Sequence, residues 1–345
     1  MRALISVAPG PAEKLELGDL PLPLPKAGEV RIRVLACGLN YPDTLIINDR
    51  YQYQPTRPFA PGGEVSGYVH AVGSGVSHLR PGEPVLATAL SGGLAEYLVA
   101  KACDTVAVPE ESNPVEGAAL LFTFGAALHA LCDRGELTPG SRLLVLGAAG
   151  GLGLAAVQLA KLLGAFVVAA VSSAEKEQAC WAAGADEVVV YERLRSTSAS
   201  HQLARSFKDK LPSGAADVVL DPVGSSYSEA ALRTVAKGGR YLVLGFTAGI
   251  PRLPLNLVLL KECDMRGVFY GSFAVDHPDL YRRERDEILA WWLEGRIRPA
   301  PQAIVPLDQA RQALQRLAER DSVGRSVVTI QTVGSSFATS LSHEV

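Results

Sequence analysis

A chain of 345 residues is long enough for two domains of ordinary size, each with its own core, which excludes fibrous repeats and disulfide-stapled miniproteins. With 48% hydrophobic and 20% charged residues it reads as compact rather than disordered. A net charge of −3 lacks the basic excess that drives binding to a phosphate backbone, so nucleic acid is not an expected partner.

The N-terminus runs Met1-Arg2-Ala3-Leu4-Ile5-Ser6-Val7 and meets Pro9-Gly10-Pro11, too early for the apolar core of a signal peptide. Up to about residue 110 the chain is dense in Gly and Pro and carries short β-rich runs at Ala3 to Val7, Glu29 to Ala36, Glu64 to Val72, Pro84 to Ala87, Ala95 to Val99 and Thr105 to Val108. Such runs between turn residues predict a mostly antiparallel β region. Val30-Arg31-Ile32-Arg33-Val34 alternates at period two, which puts its arginines on the wet face.

After Glu116 the texture changes. Helical patterns over Val115 to Asp133, Leu152 to Leu163 and Ala174 to Ala183 alternate with apolar strands at Arg142 to Leu146, Phe166 to Val171, Glu187 to Val190, Asp217 to Leu220 and Gly239 to Leu244. That alternation predicts βαβ units on a parallel sheet. The stretch Arg193 to Lys210 reads as a solvated helix flank, and mid-helix His129 and the pair Trp291-Trp292 as packing groups. From about Met265 the pattern is mixed again, with helices over Asp286 to Leu293 and Leu307 to Ala318 and a strand Ser326 to Ile330; Gln331 to Val345 is small and polar, as in a frayed tail.

The uncharged 18-residue stretch Leu143 to Ala160 touches the lower length limit of a membrane span. Its Gly147, Gly150, Gly151 and Gly153 suit a tight turn between buried elements instead, so no membrane segment is expected. Cys37, Cys103, Cys132, Cys180 and Cys263 are odd in number, far apart and without a CxxC pair, which suggests neither a disulfide framework nor a zinc ribbon and fits a reducing cytoplasm.

The stretch Leu143 to Leu163 reads strand, glycine-rich turn, helix, the context a dinucleotide needs: glycines let backbone approach a pyrophosphate, and a helix N-terminus offers free N–H groups. Ala149, Gly150, Gly151 and Leu152 are the expected contacts, although Ala148 stands where the first Gly of GxGxxG belongs. About 20 residues on, an NAD enzyme places an acid on the ribose. Here Ser172, Ser173 and Lys176 occupy that region, which suits the 2′-phosphate of NADPH; Glu175 points away in the next helical turn, and Ser172 has an alternative role as a helix N-cap.

In order along the chain stand Cys37-Gly38-Leu39-Asn40-Tyr41-Pro42-Asp43-Thr44, Pro61-Gly62-Gly63-Glu64-Val65-Ser66-Gly67, Thr123-Phe124-Gly125-Ala126-Ala127, Ala148 to Gly153 and Leu244-Gly245-Phe246. With these motifs the sequence resembles the medium-chain dehydrogenase/reductase superfamily, and within it the zinc-free quinone oxidoreductases of the zeta-crystallin-like branch, from Arg2 to about Ile330. The resemblance implies an α/β fold in which a GroES-like β-rich catalytic domain is interrupted by an inserted Rossmann domain, a doubly wound parallel sheet. The expected division is 1–122 for the first part of the catalytic domain, 123–264 for the NADPH-binding domain, 265–330 for the return and 331–345 for a disordered tail.

Zinc-dependent relatives hold metal with a Cys in Cys-Gly-x-Cys, a His in Gly-His-Glu and a later Cys. Here Asn40 and Gly63 take the first two places and the third falls within Gly117 to Leu121, so no catalytic metal is expected, and Glu64 is left as a structural acid. By resemblance Asn40 and Asp43 lie on the nicotinamide side and Tyr51 reaches over the substrate, while Thr123 contacts the nicotinamide ribose. Tyr191 and Arg320 sit near the adenosine phosphate, and Phe246, Thr247, Gly271 and Ser272 line the nicotinamide through backbone groups. The family's second tyrosine is replaced by Leu45, which leaves Tyr51, or Tyr53, as the phenolic donor. Each has a structural alternative: Asn40 as a turn cap, Asp43 as the N-cap of Thr44 to Ile47, Tyr51 as packing, Arg320 as a solvated charge.

The expected activity is metal-free hydride transfer from NADPH to a quinone or related α,β-unsaturated carbonyl, carried out by a homodimer joined through the apolar segment Arg252 to Phe269. An enoyl- or acrylyl-CoA reductase is the alternative. A cofactor-binding structural or RNA-associated protein is the second.

Overall fold

The computed structural model describes residues 1–191, 197–331 and 336–337. The chain divides into two units, Met1–Phe122 with the segment from Arg298 onward, and Thr123–Ile297. In chain order the strands are β1 (Arg2–Ile5), β2 (Glu16–Asp19), β3 (Glu29–Gly38), β4 (Glu64–Val72), β5 (Pro84–Thr88), β6 (Tyr97–Lys101), β7 (Thr105–Ala107), β8 (Arg142–Leu146), β9 (Phe166–Val171), β10 (Glu187–Val190), β11 (Ala216–Asp221), β12 (Val235–Val243), β13 (Asp264–Gly267), β14 (Ala303–Pro306) and β15 (Ser326–Thr329).

The first unit is organised by β3, whose ten residues serve three partners. One edge pairs antiparallel with β4 from Val30 to Gly38. The other edge pairs with β6 over Glu29–Arg33 and with β15 over Ala36–Gly38, giving the order β14-β15-β3-β4-β5-β7. Val30, Ile32 and Val34 enter a core with Val65, Val69 and Val85, each such side chain worth roughly 1.5–3 kcal/mol of burial. The alternation holds for the apolar positions but not for Arg31. Its guanidinium is buried, donating to the Pro23 carbonyl at 3.0 Å and lying 3.2 Å from His70 Nδ1, so it is held by a loop and a neighbouring strand rather than by water.

The second unit is a six-stranded parallel sheet in the order β10-β9-β8-β11-β12-β13. Numbered within the unit this is 3-2-1-4-5-6, the doubly wound order whose ligand crevice opens at the carboxyl ends of the strands where the order reverses. That point lies between β8 and β11. The expected return at 265 is too early. β13 pairs in parallel with β12 from Arg240↔Asp264 to Val243↔Gly267 and closes this sheet, and the helices Tyr270–Asp276 and Pro278–Leu293 belong to the same unit, so the return comes at Arg298.

Three further expectations change. The helix expected from Val115 is a short turn, Pro114–Gly117, capped by Asn113, then a helix Leu121–His129 running into a π turn Ala130–Arg134. The helix expected from Asp286 begins at Pro278, with proline at its first position and Asp279 in its first turn. In the tail, Phe337 is fully buried edge-on to Tyr68 at 5.4 Å and its carbonyl accepts the Tyr68 hydroxyl, whereas 332–335 and 338–345 lie outside the described residues. Arg193 and Arg195 are also outside them; the helix there runs Thr197–Lys210. Trp291 and Trp292 are both buried. No helix among the described residues is long and apolar enough to cross a membrane.

Candidate active site

In the first unit the site is built where β3 ends and the helix Tyr41–Ile46 begins. Pro42 in the first turn and extended Asn40 before it start the helix. Asp43 is the third helical residue rather than an N-cap, and its Oδ2 reaches back to accept the Asn40 N–H at 2.7 Å. The Asn40 side-chain Nδ2 donates to Glu64 Oε2 at 3.2 Å. Glu64, at 1% exposure, also accepts the Phe122 N–H at Oε1 (2.9 Å) and Arg325 Nη2 at Oε2 (2.8 Å). Arg325 is 8% exposed, and its Nε and Nη1 have no hydrogen-bond partner.

Burial dominates the electrostatics here. It pushes the Asp43 carboxyl up to about 7, against the pull of the Asn40 and Gly62 N–H groups and of Arg325. It also lifts the Cys37 thiol well above its ordinary range, with Asp43 and Glu64 adding to the effect. Tyr51 is half-buried against the same core, its phenol raised first by burial and then by the Asp43 charge, so it remains a proton-bearing donor at neutral pH. Tyr53 is different: its hydroxyl lies 3.4 Å from Ser91 Oγ. Arg320 ends the helix Ala310–Glu319 as an exposed left-handed C-cap at φ 62°.

In the second unit the turn after β8 is shaped by its glycines. Gly147 takes a φ of 60°, so the left-handed first glycine lies one place before the position where Ala148 interrupts the motif. Gly150 begins the helix Gly151–Leu162 with no side chain capping it, leaving the first-turn N–H groups of Gly151 and Leu152 for an anion. A Cβ at Gly153 would lie 2.6 Å from the Ala148 and Gly147 backbone, so only glycine permits this close packing of helix on strand. Ala149 is buried within the turn.

The loops after β11 and β12 come against it. Ser225 N–H donates to the Gly249 carbonyl at 2.6 Å and Ala248 N–H to the Val223 carbonyl at 2.7 Å. Phe246 is exposed on the second loop, and Thr247 is tied to the Pro222 carbonyl by both its N–H and its hydroxyl at 3.3 Å. Asp221 holds the first loop: Oδ1 accepts the Val223 and Gly224 N–H groups, and Oδ2 accepts the Ser228 and Tyr241 hydroxyls at 2.5 Å. Sequence reading missed Asp221, although Asp-Pro-Val-Gly after a strand is an Asx-turn signal.

At the end of β9, Lys176 Nζ donates to Ser172 Oγ at 3.2 Å, and Ser173 occupies the cap position without making a side-chain cap, so Ser172 is not the N-cap. Tyr191 follows β10, buried against Tyr227 with ring centroids 4.9 Å apart. Thr123 is buried with its hydroxyl unpartnered. Gly271 and Ser272 are helical, and the Ser272 N–H donates to the Phe269 carbonyl at 3.1 Å. An orphaned buried hydroxyl, an uncapped helix start and a serine-held lysine fit a phosphorylated dinucleotide.

A doubly wound parallel sheet with this glycine turn at its crossover is the architecture of a dinucleotide-binding unit. The alcohol dehydrogenase GroES-like domain model matches residues 26–110, and the zinc-binding dehydrogenase model residues 151–287. Quinone oxidoreductase-like protein 2 of Bos taurus is 34% identical over 305 residues, 88% of this chain and 85% of that protein. A mycobacterial protein solved with NADPH has a TM-score of 0.86 at 28% identity, over 96% of this chain and 100% of the other. Escherichia coli quinone oxidoreductase solved with NADPH has a TM-score of 0.84 at 25% identity, with the same coverage. The chain belongs to the quinone oxidoreductase-like branch of the medium-chain dehydrogenase/reductase superfamily.

Proposed function

We propose that the protein is a metal-independent NADPH reductase of quinones and related α,β-unsaturated carbonyl compounds. The observation that carries the reading is the end of β9, where Lys176 is held on Ser172 in the place an NAD enzyme gives to an acid. A cation with two hydroxyls there recognises a 2′-phosphate. The relatives solved with NADPH support the same choice.

When bound, the dinucleotide supplies hydride from its nicotinamide ring. This chain's residues bind and orient: Ala149, Gly150, Gly151 and Leu152 take the pyrophosphate, and Thr123, Phe246, Thr247, Gly271 and Ser272 line the nicotinamide half. Tyr191, in the dinucleotide unit, serves the adenosine end, and the family resemblance alone assigns Arg320 the same role. On the acceptor side, Tyr51 donates a hydrogen bond to the carbonyl oxygen as negative charge develops there, and Asn40, locked by Asp43 and Glu64, positions the ring.

The residues at the metal positions of zinc-dependent relatives support metal independence. Asn40 is committed to Glu64, and a Cβ at Gly63 would lie 2.6 Å from the Ala89 carbonyl oxygen, leaving no room for a histidine. An already electrophilic acceptor needs no Lewis acid. A CoA ester reading requires a cationic groove near the cofactor turn. The cationic hollow lined by His201, Arg205, Lys208, Arg233 and Lys261 lies instead at the amino end of β12, where Lys261 bonds the Val235 carbonyl at 2.6 Å.

A homodimer is supported by β13 as the edge strand of its sheet and by the exposed Leu255, Leu259, Leu260 and Phe269 beside it. Five cysteines present as free thiols suit a reducing cytoplasm. The test is NADPH oxidation with 1,4-benzoquinone, 9,10-phenanthrenequinone, 2-alkenals and crotonyl-CoA. Turnover with the quinones supports the reading, preference for crotonyl-CoA favours the CoA enzyme, and tight NADPH binding without turnover favours a structural role.

A further inference from the structure

The π turn Ala130–Arg134 is a rare geometry that recurs at functional sites. His129 stands at its start, Asp133 within it, and Glu284 approaches from the helix Pro278–Leu293, all inside the second unit. His129 Nδ1 lies 2.6 Å from Asp133 Oδ2, and its ring is fixed by stacking on Phe273 at 3.9 Å between centroids. Glu284 is only 6% exposed, and its Oε2 has no hydrogen-bond partner. Among the described residues no lysine or arginine forms an ion pair with Asp133 or Glu284.

A buried carboxyl facing a second carboxyl cannot ionise freely beside it unless a cation stands between them. One imidazole nitrogen and two carboxylate oxygens here lie within 4.8 Å of one another. Small side-chain rotations would bring such atoms to the roughly 2.0–2.2 Å bonds of a first-row divalent cation. Asp133 is exposed, giving an entry path, while His129 and Glu284 form the buried floor.

We propose that His129, Asp133 and Glu284 form a divalent-cation site with nitrogen and oxygen donors, suited to Zn²⁺, Co²⁺ or Mn²⁺, that ties the π turn to the helix Pro278–Leu293. The site is structural and lies in the dinucleotide unit, whereas Asn40 and Gly63 belong to the other unit.

The test uses the full chain after chelator treatment, titrated with Zn²⁺ by calorimetry and with Co²⁺ by visible absorption, together with thermal unfolding in each state. The expected result is one saturable site per chain, a Co²⁺ spectrum without a thiolate charge-transfer band, and a Tm that rises with cation. Glu284→Gln is expected to weaken binding by at least roughly tenfold and to remove the rise in Tm. If that variant does not fold, Asp133→Asn, altered on its exposed side, reads the same loss. No saturable binding, a thiolate band, or unchanged affinity in the variants overturns the proposal. So does a Glu284→Gln protein that is more stable and indifferent to cation, which would mean that the two carboxyls share a proton.

Discussion

Glu64 and Arg325 are separated by 261 positions in the chain and meet at 2.8 Å, both buried. The pair joins β4 to the residue before β15, and the same carboxylate holds the Asn40 amide, so one carboxylate serves both a long-range ion pair and the pose of a candidate site residue.

Removing one member of a buried pair leaves the other charge uncompensated, which costs about 3–5 kcal/mol. Glu64→Gln is therefore expected to lose that much stability in urea unfolding. Because the cost is mainly the stranded guanidinium, the double variant Glu64→Gln with Arg325→Met is expected to lose less than Glu64→Gln alone. Equal losses would mean that the charge of Arg325 is satisfied elsewhere.

Asp43 predicts a pH effect of defined sign. Its folded value of about 7 stands above the usual 3.8, so between these limits the native state binds more protons than the unfolded chain. Its contribution to stability is full below about pH 4 and is lost as pH rises towards 7. Asp43→Asn keeps an oxygen for the Asn40 N–H and removes the titration. The variant is expected to gain on wild type in urea midpoint between pH 5 and pH 8; a constant difference would place the native carboxyl in its ordinary range.

Much of the second unit is legible in sequence because buried parallel strands are continuous apolar runs, as in Leu143 to Leu146 and Phe166 to Val171, and because the glycine turn between strand and helix has its own signature. β13 is not legible. Asp264-Met265-Arg266-Gly267 is a four-residue edge strand of mixed polarity, recognisable only through its pairing with β12. The start of the helix Pro278–Leu293 hides for a similar reason: its first half, with Arg282, Arg283, Glu284, Arg285 and Asp286, lacks an apolar rhythm. In the first unit Asn40 and Asp43 are nominated through the family's motif and Glu64 reads only as a structural acid, while the Arg325 contact is made by topology and no local pattern carries it.

The two glycines of the cofactor turn separate packing from binding. Gly153→Ala drives a Cβ to 2.6 Å from the Gly147 and Ala148 backbone and is expected to cost about 1–3 kcal/mol. Gly150→Ala meets only the Gly147 carbonyl at 3.3 Å, at a φ of −77° that alanine accepts, so stability is expected to hold while NADPH affinity falls where the methyl faces the pyrophosphate. Thermal unfolding without ligand and fluorescence titration with NADPH check the pair, and a stability loss at Gly150 matching that at Gly153 would remove the distinction.

The Lys176 to Ser172 contact predicts cofactor preference. Wild type is expected to bind NADPH at least roughly tenfold tighter than NADH, about 1.4 kcal/mol. Lys176→Ala is expected to lower NADPH affinity with little effect on NADH. Titration of both dinucleotides against both proteins decides it, and an equal loss for the two would assign Lys176 a structural role at the start of the helix Glu177–Ala182.

The two tyrosines of the 51–53 loop differ in what their hydroxyls do. Tyr53 has Ser91 Oγ within 3.4 Å, whereas Tyr51 is raised by burial and by the neighbouring Asp43 charge, which keeps its proton on and available to an acceptor's carbonyl oxygen. Tyr51→Phe removes that donor without changing volume. It is expected to lower kcat for a quinone by roughly 100-fold, the scale of losing one oxyanion donor, with NADPH affinity near normal. Tyr53→Phe is expected to leave kcat within a few-fold of wild type. If the slow variant is Tyr53→Phe the two roles exchange, and if neither slows, both rings serve packing and the acceptor oxygen is met by another donor.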